Sequence, residues 1–142
     1  YSRSSKVLLF GRDGYLRWFD KHVYRDDGND VNSHVVIGPL KLGSNGEEGV
    51  LQELAGVMGE MSGGVNWAVW PARTAERATR AAMDEAADMP TTSGAWGNGP
   101  NFSAYPRSRG VSAALRIENG QQIAWEMEGA AVNVLPGGKL RL

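Results

Sequence analysis

The chain has 142 residues, a net charge of −1 at pH 7 and no cysteine. This length suits one ordinary domain, the near-zero charge argues against a nucleic-acid binder, and the missing thiols exclude disulfides and cysteine nucleophiles. No apolar run approaches the ~20 residues of a membrane-spanning helix, so membrane insertion is not expected. Nineteen glycines and five tryptophans are high counts for this length, and they predict tight turns between many short strands.

The first forty residues have the pattern of short strands. Residues 6–24 contain apolar stretches separated by a Gly-Arg-Asp-Gly sequence at 11–14. An Asp-Gly pair between hydrophobic runs is a strong signal for a β-hairpin. A polar loop is predicted over 25–33, and an extended strand interrupted by a Gly-Pro pair is predicted over 33–42.

The middle of the chain carries helical signals. A capping box begins at Ser44, and the apolar residues of 50–61 follow a helical spacing, so a short helix weakened by glycines is predicted there. Alternating apolar and polar residues predict a strand over 65–70. Thr74 has the position of an N-cap for a second helix over 75–87, and the thin alanine stripe of this helix implies either close packing against another element or a position on the outside.

The last third of the chain predicts loops and hairpins. Residues 89–106 are rich in glycine, proline and asparagine and are predicted to form a long irregular segment. Alternating strands follow, and their apolar residues match best across a three-residue loop at 118–120 that pairs Leu115 with Ile123. A second hairpin is predicted around 136–138. The pattern as a whole predicts a mainly β protein with one or two short helices, in the α+β class.

No catalytic signature appears in the sequence. Two histidines are too few for a usual protein-only metal site. The acidic cluster at 26–30 lacks EF-hand spacing, so calcium is the less favoured interpretation of a typical turn sequence. Neither a metal nor another cofactor is expected. The alternative is a small glycan-processing enzyme that uses carboxylates early in the chain. The acidic residues considered for it are Asp13, Asp20, Asp26 and Asp27.

Aromatic residues are concentrated in and beside the long irregular segment. Sugars present apolar C–H faces together with hydroxyls, so proteins bind them with exposed aromatic planes and neighbouring amides. The candidate ligand-binding residues are Trp96, Asn98, Asn101 and Tyr105, with Trp70 and Arg107 as secondary candidates. For Trp96 and Tyr105 the competing interpretation is packing in the core or in an interface between subunits.

The segment 9–24, with its Gly-Arg-Asp-Gly turn, resembles the strand units of bacteriophage tail fibres. The Asp- and Gly-rich stretch 25–30 takes the place of the fibre linker, and 36–43 resembles the strand that follows it. Such fibres are intertwined homotrimers on the virion surface. The resemblance therefore implies an extracellular trimer with a fibre-like strand segment over 1–43 and a distal β-rich tip over 44–142. Bacterial trimeric adhesins that reuse these modules have the same pattern.

The resemblance implies attachment to a bacterial surface by a non-enzymatic fibre tip. The expected partners are two further copies of the chain and a surface glycan or an outer-surface protein. Three equivalent sites on one trimer make binding to a repetitive surface avid. A purely structural trimerisation or capping module is the remaining alternative, and it predicts that the irregular segment is buried between subunits.

Overall fold

The computed structural model of the chain describes residues 7–10, 16–19, 25–26, 29–44, 47–84, 89–120 and 124–139. The chain divides into two compact units, 1–31 and 32–142. The sequence predicted a boundary after residue 43 instead. The two boundaries differ because the strand β5 (His34–Lys41), which was predicted to belong to the first segment, pairs with β11 (Ser112–Asn119) inside the second unit.

The first unit contains two short antiparallel pairs within its described residues. The strand β1 (Val7–Phe10) pairs with β2 (Leu16–Phe19), which confirms the predicted opening hairpin. The turn of this hairpin at 11–15 lies outside the described residues. Two-residue strands, β3 (Arg25–Asp26) and β4 (Asn29–Asp30), also pair where the sequence predicted only a loop.

Sheet I of the second unit has four antiparallel strands in the described part of the chain, in the order β5-β11-β7-β8. The strand β7 (Val65–Ala72) confirms the prediction over 65–70, and β11 (Ser112–Asn119) is the central strand between β5 and β7. The outer strands of this order are β5 and β8 (Thr92–Trp96). Since the first six residues of β11 are all buried and successive side chains point to opposite faces, both faces of sheet I are covered.

Sheet II is built around β6 (Glu47–Met58). The 13-residue strand β12 (Met127–Lys139) pairs along one side of β6, and β9 (Gly99–Ala104) and β10 (Ser108–Gly110) share the other side. Inward side chains of both sheets form the main hydrophobic core, as in a β-sandwich. The largest fully buried apolar side chains of this core are Leu51, Leu54, Met58, Val65, Val69, Leu115 and Ile117.

The helix predicted over 50–61 is wrong, because β6 occupies this segment. Consecutive residues of β12 oppose Glu53 and Leu51, so Gln52 is the extra residue of a β-bulge. The bulge places Leu51 and Leu54 in the core at a spacing of three residues. That spacing is typical of a helix rather than a strand, which explains why the apolar pattern indicated the wrong element.

The second predicted helix is confirmed as α1 (Ala75–Met83), and residues 85–88 at its predicted end lie outside the described ranges. Thr74 caps it, since its hydroxyl accepts a hydrogen bond of 3.3 Å from the backbone N–H of Arg77. Buried alanines pack the helix against the outer face of sheet I, opposite sheet II. Within the described ranges, no helix is long and apolar enough to cross a membrane.

The other predicted loops and hairpins of the last third are also wrong. The segment 89–106 is not irregular, because it contains β8 and β9 and crosses from sheet I to sheet II. Both edges of β11 are taken by β5 and β7, so this strand does not form a hairpin with the segment after it. Pro136, the predicted turn residue, lies inside β12 opposite Gly49. The mainly β fold class is nevertheless confirmed.

Candidate ligand-binding site

The first predicted site residue, Trp96, belongs to the core. It ends β8 with 4% of its surface exposed, and its ring centroid lies 6.4 Å from that of Trp67. The ring covers Gly56 of β6 so closely that a Cβ atom at this glycine would fall 2.4 Å from Cζ3 of the ring. Trp96 therefore offers no exposed plane to a sugar, and core packing, the competing interpretation, describes it.

Asn98 and Asn101 join Trp96 at the turn between β8 and β9, where their amides hold the backbone. The Oδ1 atom of Asn101 accepts a hydrogen bond of 3.0 Å from the N–H of Gly97, and its Nδ2 atom donates to the carbonyl of the same residue at 2.8 Å. The Nδ2 atom of Asn98 donates to the carbonyl of Glu60 at 3.2 Å. The structure thus places Trp96, Asn98 and Asn101 close together, and the hydrogen bonds of the two asparagines stabilise the turn between β8 and β9.

Tyr105 and Arg107 follow β9 on the surface. The side chain of Tyr105 is 54% exposed, and Arg107 is exposed with a backbone φ of +48°. Few residues other than glycine adopt a positive φ. The segment is held from behind by Thr92, whose hydroxyl donates to the carbonyl of Pro106 at 3.0 Å. Both candidate side chains face solvent, and their role in binding stays a prediction.

The secondary candidate Trp70 lies on the outer face of sheet I, where α1 packs. Its residue is only 5% exposed, yet it lines two depressions in the surface, which also share Met89. We call the first the arginine cleft and the second the tryptophan hollow. Because the two depressions share these residues, they adjoin one another.

The tryptophan hollow has a volume of about 410 Å³ and an apolar floor with a polar rim. The alternation of β7 places Asn66, Ala68 and Trp70 on the same face of sheet I. Ser93 extends this face onto β8, because it lies directly opposite Ala68. Asn66 and Ser93 are both exposed, so an amide and a hydroxyl stand beside the apolar floor.

A fixed ion pair forms one wall of the tryptophan hollow. The Nε and Nη2 atoms of Arg116 each lie 3.1 Å from Oε2 of Glu118, and Nη1 donates to the carbonyl of Ala82 at 3.3 Å. The Arg116 side chain is 10% exposed and that of Glu118 is 37% exposed. Charge-assisted bonds of this kind hold both groups in place, so a carboxylate at a fixed position remains open to hydroxyl donors.

The arginine cleft has a volume of about 350 Å³ and lies at the start of α1. Arg73 and Arg77 line it from the helix side, and Arg109 of β10 lines it from the other side. The Nε atom of Arg109 lies 2.7 Å from Oε2 of Glu48, which also lines the cleft. Three arginines and one glutamate are therefore among the described residues that line the cleft.

The described ranges contain no candidate metal site, since no group of three or more His, Asp or Glu side chains in them is placed to hold an ion. Of the acids considered for an enzyme, Asp26 lies in the short strand β3, and its side chain is not described. The other three lie outside the described residues, namely Asp13, Asp20 and Asp27.

Comparisons with known proteins yield no match to a family model, to a curated protein or to a solved structure. The chemical properties of the residues that line the two depressions are therefore the basis for a proposal about function. Trp70 was predicted from the sequence, but its neighbours Asn66, Ser93 and Glu118 were not. The strand predicted over 65–70 contained a usable signal for Asn66, which shares the alternation of Trp70, whereas the others depend on strand pairing.

Proposed function

We propose that the chain is the non-enzymatic, receptor-binding tip of a trimeric surface fibre, which attaches to a bacterial surface by holding a glycan in the tryptophan hollow. The observation that carries this proposal is the composition of the hollow. An apolar lining that includes Trp70, Met89 and Pro90 lies next to the amide of Asn66, the hydroxyl of Ser93 and the carboxylate of Glu118. No nucleophile-and-base pair is needed for binding of this kind.

The chemistry of sugars suits this surface. The C–H face of a pyranose ring gains from contact with apolar and aromatic surface, while its hydroxyls donate to carboxylate and amide oxygens and accept from amide N–H groups. Glu118 is held by Arg116, so little side-chain entropy is lost when the sugar binds. A volume of about 410 Å³ lies within the usual range for small-molecule sites.

The fibre part of the proposal is supported by the opening of the chain. The β1–β2 hairpin is the element on which the resemblance to tail-fibre strand units depends, and it forms as predicted. A homotrimer on a virion or cell surface, outside the cell, would present three hollows to a repetitive glycan layer. Weak single-site binding then becomes strong attachment, because the second and third contacts are intramolecular.

The test is a glycan array followed by binding to whole bacterial cells. We expect the wild-type chain to bind a subset of glycans without releasing products, since a product would support the alternative of a glycan-processing enzyme. Ser93→Ile fills the hollow with a side chain that strands accept and is expected to abolish binding. The matched control is Ala131→Ile, because Ala131 is exposed in a strand of sheet II and does not line the hollow.

Three outcomes would contradict the proposal. Glycan binding that survives Ser93→Ile excludes the hollow as the site. Equal loss of glycan binding in both isoleucine variants points to a general effect of the added side chain. Cell binding without any glycan on the array points to an outer-surface protein as the receptor. Circular dichroism of both variants verifies that the fold is intact.

A structural trimerisation module is the second candidate, and the observation that favours it is the free edge of β12. This 13-residue strand pairs with β6 on one side, and no described strand pairs with its other side. Val132 and Leu135 are 39% and 44% exposed along it. Long edge strands with apolar residues are templates for pairing with another chain. Val132→Lys would then dissociate the oligomer without changing glycan binding by the isolated subunit.

A further inference from the structure

The arginine cleft concentrates positive charge in a concave part of the surface. Arg73 precedes the helix cap and Arg77 belongs to the first turn of α1, while Arg109 comes from the separate strand β10. All three line the same depression of about 350 Å³. Two parts of the chain that are distant in the sequence therefore contribute arginines to the lining of one depression.

Among the residues that the structure describes, the carboxylates near the cleft do not neutralise its positive charge. Glu48 is the acid among the described lining residues, and it is occupied by Arg109 at 2.7 Å. Glu76 lies in the same helical turn as Arg77, but it pairs with Arg80, and both of these residues line a different surface depression. Arg73 and Arg77 are exposed, and within the described ranges no ion pair is formed by either side chain.

Guanidinium groups that share a depression repel one another. An oxyanion placed between them removes this repulsion and accepts paired hydrogen bonds, because the planar fork of arginine matches the oxygens of a carboxylate or a phosphate. The neighbouring floor of the cleft includes Trp70 and Pro71, so the anionic group can belong to a molecule that also has an apolar face.

We propose that the arginine cleft binds a carboxylate or phosphate group carried by an acidic surface glycan. This inference rests on the proposed function, since the cleft shares Trp70 and Met89 with the tryptophan hollow. A glycan chain that fills the hollow with one sugar places the acidic substituent of a neighbouring sugar in the cleft. The preferred receptor is thus a polysaccharide with uronic acids or phosphodiesters.

The test compares two double variants that lose the same charge. Arg73→Gln with Arg77→Gln removes two of the cleft arginines, and Arg80→Gln with Lys41→Gln is the control, because neither Arg80 nor Lys41 lines the cleft. All four residues are exposed, so the fold is expected to survive. The probes are polygalacturonate, a phosphodiester-linked glycan, neutral dextran and inorganic phosphate, measured by calorimetry and by arginine Nε–H shifts in NMR.

We expect the acidic glycans to bind the wild-type chain and the control, and to bind the Arg73/Arg77 variant at least about tenfold more weakly, as the loss of a charged hydrogen bond predicts. The relative affinity of polygalacturonate and the phosphodiester glycan distinguishes carboxylate from phosphate. Inorganic phosphate that binds as tightly as either glycan would identify free phosphate as the ligand and overturn the glycan assignment.

The remaining outcomes separate this inference from the proposed function. Equal weakening of acidic-glycan binding in both double variants would mean that the overall charge of the protein attracts these glycans. This result would overturn the assignment of the cleft as an anion site. Binding of the acidic glycans that is unchanged in the Arg73/Arg77 variant overturns the assignment of the cleft and leaves the hollow as a glycan site. Failure of every glycan to bind, while phosphate shifts the Nε–H signals of these two arginines, overturns the proposed function and the glycan inference together, leaving an anion site.

Discussion

Replacement of Gly56 by alanine tests how Trp96 is packed. A Cβ atom at residue 56 would fall 2.4, 2.6 and 2.7 Å from three atoms of the Trp96 ring, which is far inside van der Waals contact. The ring has little room to move, because Leu54 and Met58 on either side of the glycine are 0% and 1% exposed, and the other ring, Trp67, lies 6.4 Å away. The substitution must therefore displace core side chains.

Overpacking of this kind typically costs about 1–3 kcal/mol. The gain from replacing glycine in the unfolded chain offsets about 0.4–1 kcal/mol of that. We expect Gly56→Ala to lower the free energy of unfolding by about 1–2 kcal/mol, as the difference of these two effects. For a chain of this length the corresponding fall in Tm is about 4–8 °C, at roughly 4 °C per kcal/mol.

The assay is urea unfolding followed by tryptophan fluorescence and circular dichroism. Gly129→Ala is the matched control, since Gly129 also lies in a strand of sheet II but a Cβ atom there meets nothing within 4 Å. The control is expected to be as stable as the wild type or slightly more stable. Equal stability of the two alanine variants would refute the packing of Trp96 across Gly56.

Three further substitutions test the helix and its contact with sheet I. Thr74→Ala removes the cap that accepts from the N–H of Arg77, and it is expected to cost about 1 kcal/mol in urea unfolding; an unchanged midpoint would show that the cap is not formed. Ala82→Leu inserts a large side chain where the residue is 0% exposed and should cost about 1–3 kcal/mol, so tolerance of leucine would mean that the helix is loosely packed. Arg116→Met leaves Glu118 and the Ala82 carbonyl without their hydrogen bonds to Arg116. It should lower the free energy of unfolding by about 1–3 kcal/mol and weaken glycan binding. Wild-type affinity for the glycan would show that the ion pair is not part of the site.

The elements that the sequence predicted correctly are those fixed by local signals. The β1–β2 hairpin follows from an Asp-Gly turn between apolar runs, β7 follows from simple alternation, and α1 follows from the cap at Thr74. Each of these signals lies within a few residues of the element that it specifies. No knowledge of distant partners was needed for them.

The elements that the sequence missed depend on distant partners. The bulge at Gln52 gave β6 a helix-like spacing, and it becomes visible only through the pairing with β12. The Gly- and Pro-rich segment 89–106 forms strands because Trp67 and Trp96 cover glycines of neighbouring strands. A Cβ atom at Gly94, for example, would fall 2.5 Å from the ring of Trp67.

The candidate site shows the same division. Aromatic content and the resemblance directed attention to Trp96, but the register of β8 and β9 puts its ring in the core. Trp70 was identified, although its polar neighbours were not, because Glu118 reaches the same face only through the pairing of β11 with β7. The three arginines of the cleft likewise come from elements that the sequence alone does not bring together.

The mass of the chain in solution, measured by light scattering on a size-exclusion column, tests the fibre account most directly. The account predicts a species of three chains of 15.3 kDa each that persists on dilution. Addition of a glycan that binds should leave three chains in the species, since the glycan occupies a surface on each subunit. A monomer at all concentrations would contradict the trimeric fibre tip and leave the tryptophan hollow as the site of a single-subunit binding domain.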